Sequence, residues 1–136
     1  MGWIGVDFDG TLAEYHKWEG ADKLGAPIQP MVQRVKQWLD EGIEVRIFTA
    51  RAYPITKPIY GDAGFNLHYI PNLGEGIEEA LMAIEAIREW TYNVFGRILT
   101  VTCVKDYAMI ELYDDRAIQV TKNTGEIVGY STRGNV

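Results

Sequence analysis

Strand-like apolar runs alternate with helical stripes and break off at acidic or hydroxyl residues. This pattern predicts a single α/β domain spanning residues 1–136, a three-layer sandwich whose mainly parallel sheet is covered by helices on both faces. The element order is strand, helix, strand, helix, strand, strand. The first run, Trp3-Ile4-Gly5-Val6, is apolar at successive positions, as suits a central parallel strand. Three runs end in reactive side chains: Asp7 and Asp9, Thr49, and Asp114 with Asp115. Ligands of such sheets bind beyond the carboxyl ends of the strands.

Each element has its own local signature. After the first strand, residues 12–29 are polar, aromatic and glycine-spotted without a sustained period, which predicts a flap loop. From Pro30 the apolar residues Met31, Val32, Val35, Trp38 and Leu39 recur at helical spacing. Pro30 suits a first turn and Gly42 suits the helix end. Residues 43–48 are β-branched and apolar enough for a second strand. Residues 52–76 hold Pro54, Pro58 and Pro71 among several glycines, which predicts a long substrate-side loop. Ile77, Ala80, Leu81, Ile84, Ile87, Trp90 and Val94 form the strongest helical stripe, with Trp38 and Trp90 expected in the core. Residues 98–103 and 109–113 read as strands, and 117–120 with 126–130, flanking Lys122-Asn123-Thr124-Gly125, as a terminal hairpin or a fifth strand plus tail.

Composition narrows the function. With 47% hydrophobic and 24% charged residues the chain can bury a core without staples. Cys103 has no internal partner, as expected of a reducing, cytoplasmic setting. No apolar run reaches the ~18 residues of a membrane span, and the opening run lacks the basic region of a signal peptide. Val6 in place of Ser or Thr spoils a myristoylation start. A formal charge of -6 opposes broad binding to a duplex or an anionic membrane.

Carboxylates at neighbouring strand ends repel one another and are costly to bury unpaired. A hard divalent cation resolves the conflict, and oxygen donors select Mg²⁺ over zinc. The ordinary alternative for one Asp-Gly pair is a turn. A second acidic cluster at another strand end weakens that alternative.

The ordered set Asp7-Phe8-Asp9-Gly10-Thr11-Leu12, Thr49, a later lysine and Asp114-Asp115 resembles the haloacid dehalogenase (HAD) superfamily of phosphatases, over residues 3–120. The chain is most similar to its small capless bacterial and phage members. Pro30-Met31-Val32 and Asp114-Asp115-Arg116 also resemble the phosphatase domain of phage polynucleotide kinase/phosphatase. The resemblance implies a Rossmann-like sandwich without a separate cap domain and a phosphomonoester hydrolase working through an aspartyl-phosphate. It makes Asp7 the nucleophile and Asp9 the general acid and base. Mg²⁺ would be held by Asp7, the Asp9 carbonyl and Asp114, with Asp115 direct or through water. Thr49, the backbone at Ala50, and Arg51 would bind phosphoryl oxygens. Lys105, between the third strand and the acidic pair, would be the fixed cation, with Lys57 as competitor. For Arg51 and Arg116 alike, the alternative to a phosphate contact is a surface ion pair.

Substrate choice would fall to the two loops. Tyr15, Trp18, Tyr53 and Tyr60, interleaved with Lys17, Lys23, Arg51 and Lys57, could stack on and pair with a nucleotide or a phosphorylated nucleic-acid end; they could equally pack the flap onto the body. His16 and His68 lack metal-ligand spacing. Without a cap, the open site could be covered by a second copy of the chain. A receiver domain would need a phosphoacceptor aspartate ending the third strand, where Thr102-Cys103-Val104-Lys105 has none. Gly74-Glu75-Gly76 is too little for a nucleotide-binding turn. The remaining alternative is a HAD-like phosphate binder or scaffold without catalysis.

Overall fold

The computed structural model describes residues 2–61 and 76–130. Strands β1 (Trp3–Val6), β2 (Glu44–Phe48), β3 (Thr100–Thr102) and β4 (Met109–Tyr113) form one parallel sheet in the order β3-β2-β1-β4. Helix α1 (Gln29–Asp40) joins β1 to β2, and α2 (Ile77–Phe95) precedes β3. A short antiparallel pair, β5 (Gln119–Val120) and β6 (Ile127–Val128), forms the expected hairpin with fewer paired residues. Among the described residues no helix is long and apolar enough to cross a membrane.

Local chemistry sets the helix boundaries. Pro30 stands in the first turn of α1, where its missing N–H costs nothing. At the other end Gly42 takes φ +80°, donating to Leu39 O at 3.0 Å while Ile43 donates to Trp38 O at 2.9 Å. That is a Schellman closure, which a side chain at position 42 would strain. Helix α2 buries Ile77, Ala80, Ala83, Ile84 and Ile87, while Leu81, Trp90 and Val94 pack at its margin.

The expected helices on both faces are not found among the described residues. Ile4 and Val6, Val45 and Ile47, and Leu99 and Val101 occupy alternating positions and share one core with Met31, Val32 and Val35 of α1 and Ile84 and Ile87 of α2. Alternation puts these strand residues on one face of the sheet, so both helices lie there. Two successive right-handed crossovers running the same way across a sheet must share a face. The return from β3 to β4 has only residues 103–108, too few for a helix. This segment meets the other face: Asp106 accepts from the Trp3 indole N–H at 2.9 Å and lies 3.6 Å from Arg46. Arg46 stacks over the ring of Trp3 at 4.6 Å, giving buried Trp3 a polar cover in place of a helix.

The flap is also more ordered than its composition suggests. Phe8 O accepts from the N–H groups of Leu12 and Ala13, and Ala13 bridges Pro27. Glu14 N–H donates to Ala26 O and Ile28 N–H to Leu12 O, each at 2.8 Å. The flap's two arms thus run as a ribbon against the body, where Trp90 donates to Gly25 O at 3.0 Å and packs edge-on against Phe8.

Packing on the helical face predicts unequal costs along α2. Ile84→Ala, at a fully buried position, should destabilise by about 2–5 kcal/mol. Met82→Ala, at a position 52% exposed on the same helix, should cost under ~0.5 kcal/mol. Urea unfolding of both variants checks the difference; equal losses would contradict the assigned core face.

Candidate active site

The strand order creates the site. The chain leaves β1 on both sides, to β2 through α1 and later to β4, making the β1 carboxyl end a topological switch point. Asp7 N–H donates to Tyr113 O at 2.8 Å, so Asp7 and Asp114 leave adjacent strands at one level. Thr49 N–H donates to Thr102 O at 2.9 Å and brings the end of β2 alongside. A cavity of about 720 Å³ opens there, lined in part by Asp7, Asp9, Thr49, Ala50, Arg51, Asp114, Asp115 and Arg116.

Asp7, Asp114 and Asp115 each present a carboxylate oxygen within 4.8 Å of the others. Burial foremost, then a hydrogen bond with the Asp115 carboxyl and the charges of Asp114 and Asp115, push the Asp7 carboxyl up to about 8, against an opposing Phe8 N–H. Three converging carboxylates could hold a metal ion, which would relieve their like-charge conflict.

Gly10 and Thr11 join the two acidic clusters. Thr11 Oγ1 accepts from Asp115 N–H at 3.0 Å and faces Asp115 Oδ1 at 3.0 Å and Asp7 Oδ2 at 3.3 Å as donor. Gly10 has φ +86°, and a Cβ there would sit 2.8 Å from Asp115 Oδ2. Glycine is needed for both the backbone and the carboxylate's approach. These roles escaped sequence reading because the partner lies more than a hundred residues away.

Arg51 lines the cavity and forms an ion pair, with Asp9 as its partner. Its Nε and Nη2 donate to Asp9 Oδ2 and Oδ1 at 2.7 and 3.0 Å. Nη1 donates to Gly20 O and Ala21 O, both at 3.1 Å, and Nη2 also to Lys23 O at 3.2 Å. All five guanidinium donors are engaged, leaving none for a phosphoryl oxygen in this arrangement. Arg51 therefore fastens the flap to Asp9, and its buried guanidinium lies 4.7 Å beneath the Trp18 ring.

The remaining candidates divide. Thr49 is buried, lines the cavity and caps the following short 3₁₀ turn (Ala50–Ala52) by accepting from Arg51 N–H at 3.2 Å. Lys105 and Lys57 are exposed and outside the cavity lining; the cations there are Arg51 and Arg116. Asp114 Oδ1 holds the backbone N–H of Arg116 at 2.8 Å. Tyr15, Trp18 and Tyr53 line the cavity, whereas Tyr60 lies 5.5 Å from Arg46, which is on the opposite sheet face from the core. His16, Lys17 and Lys23 line a separate depression, and His68 lies outside the described residues. Cys103 lines the main cavity and donates its thiol to Ile55 O at 3.2 Å; burial pushes that thiol up.

No protein-family model, curated protein or solved structure matches this chain.

The raised Asp7 sets a pH dependence for the metal-free protein. Folding moves its carboxyl from 3.8 to about 8, so between those values the native state holds a proton that the unfolded chain has lost. Stability is greater below that window and falls as pH rises through it. In EDTA, the midpoint of wild-type thermal unfolding should decline relative to Asp7→Asn from about pH 4 to 8. Parallel profiles would remove Asp7 as the cause.

Proposed function

We propose that this protein is a Mg²⁺-dependent phosphomonoester hydrolase of the HAD type, with Asp7 as nucleophile. The supporting observation is the meeting of Asp7, Asp114 and Asp115 within 4.8 Å in a cavity also lined by Asp9 and Thr49. Asp7, the Asp9 carbonyl, Asp114 and Asp115 would hold the metal, which when bound neutralises charge on the carboxylates and the phosphoryl group.

Asp7 attacks phosphorus, forming the aspartyl-phosphate as the ester P–O bond breaks. Asp9, protonated and with one oxygen released from Arg51 to face the leaving group, gives that proton to the departing oxygen. It then takes a proton from the water that attacks phosphorus, so the Asp7–phosphorus bond breaks, the Asp7 carboxylate and the protonated Asp9 are restored, and phosphate is released. Thr49 Oγ1 and the backbone at Ala50 bind phosphoryl oxygens, and Arg116 takes the role the family resemblance gave Lys105. The insertion over residues 12–29 serves as a flap, with no separate cap domain. Phosphorylated nucleotides or nucleic-acid ends are the substrates, in a cytoplasmic setting, and a second copy could cover the open cavity. A noncatalytic phosphate binder or scaffold is the other reading, favoured by the absence of both lysines from the lining.

An aryl phosphate should be hydrolysed with Mg²⁺ and not in EDTA, and Asp7→Asn should abolish turnover. Full turnover in EDTA, or by Asp7→Asn with Mg²⁺, would refute the assignment. Asp9→Asn should cost about 10²–10⁴-fold on poor leaving groups and less on activated aryl esters.

The cation assignment has a separate readout. Arg116→Ala should weaken inhibition by phosphate or vanadate about 10- to 100-fold, the worth of a charged hydrogen bond, with little change in Lys105→Ala. The reverse ranking would return the role to Lys105.

A further inference from the structure

Beyond the acidic centre, the cavity wall carries an aromatic surface with unusual support. Trp18, Tyr15 and Tyr53 line the cavity yet remain 53%, 37% and 72% exposed. Packing the flap onto the body would have buried them. Phe8 and Leu12 do that packing and are fully covered.

Trp18 stands apart because of what lies beneath it. One face of its ring rests 4.7 Å from the centre of the Arg51 guanidinium. That guanidinium cannot follow the ring: Asp9 and the carbonyls of Gly20, Ala21 and Lys23 fix it. A cation beneath one face stabilises the ring in place without covering the other face. An exposed ring already held in position loses little freedom when a second planar group stacks on it.

We infer that Trp18, seated on Arg51, is a stacking platform for the base of a nucleoside phosphate whose phosphate reaches the acidic end of the same cavity. This rests on the phosphatase reading and narrows its substrate. A volume of about 720 Å³ is ample for a mononucleotide or one terminal nucleotide. A formal charge of -6 disfavours holding a long polyanion by its backbone, so recognition falls on one base and one phosphate. A mononucleotide and the phosphorylated end of an oligonucleotide share that chemistry.

The test compares a nucleoside 5′-monophosphate with ribose 5-phosphate, which has the same sugar and phosphate but no base. Wild-type protein with Mg²⁺ should prefer the nucleotide in kcat/KM, and Trp18→Ala should reduce that ratio by about 5- to 150-fold, the range of a base–aromatic stack. Trp18→Phe, which keeps a ring, should retain most of the ratio and guards against a folding defect in the alanine variant. A wild-type ratio near one, or a ratio unchanged in Trp18→Ala, would overturn the proposal while leaving phosphatase chemistry intact. Binding to the Asp7→Asn protein, measured by calorimetry with adenosine 5′-monophosphate and ribose 5-phosphate, needs no turnover. Trp18-dependent preference for the nucleotide there would uphold the platform even if no ester were hydrolysed; equal affinities would refute it. Repeating the comparison with 3′- and 5′-phosphorylated oligonucleotides identifies which source of the shared chemistry is favoured.

Discussion

Arg51 ties the flap to the candidate site. It stands just past β2, yet its guanidinium reaches the carboxylate of Asp9 after β1 and three carbonyls of the flap. A fork of five donors can be satisfied this fully only if all its acceptors are held together, and the fork in turn holds them. The pairing is buried, so losing the cation would strand Asp9 and the flap carbonyls without partners. The flap's backbone ribbon and Trp90 hold its arms, and Arg51 adds the link from the flap to Asp9 and the seat of Trp18.

The acidic centre has the opposite character. Asp7, Asp114 and Asp115 are drawn together by the ladder between β1 and β4, and Thr11 adds a hydrogen-bonded bridge. The backbone imposes this approach against electrostatic repulsion. Mutual repulsion, added to burial, raises Asp7. A divalent cation turns the same geometry from a cost into an attraction. The two halves of the site therefore differ in what completes them: the Arg51 side is satisfied internally, while the carboxylate side calls for a ligand. On the proposed phosphatase reading, that asymmetry would put the phosphoryl end of a substrate near β1 and β4 and leave its remainder to the flap wall.

Much of this was present in local sequence. The apolar run before Asp7, the stripes from Met31 to Leu39 and from Ile77 to Val94, and the β-branched run before Thr49 all marked elements that the structure contains. Their signals are short-range, because alternation and helical period depend only on near neighbours. The acidic strand ends were legible for the same reason, since each stands directly after its own run. The expected hairpin was recovered too, though with a shorter ladder.

Tertiary structure decided what lies between elements. The sharing of one sheet face by α1 and α2 follows from strand order β3-β2-β1-β4 and crossover handedness, neither of which any local pattern records. The same order carries residues 103–108 across the far face and leaves Lys105 outside the cavity lining, although its place in the chain suited a phosphate-binding cation. Arg116 lines the cavity because it follows Asp114 at the end of β4, the strand beside β1. Arg51 became a clamp because its reach was matched by carbonyls some thirty residues earlier in the chain. The sequence by itself determined which residues end the strands and which helical faces are apolar, since those are properties of contiguous segments. Which cation meets which carboxylate was decided only when strand order fixed the distances between segments remote in the chain.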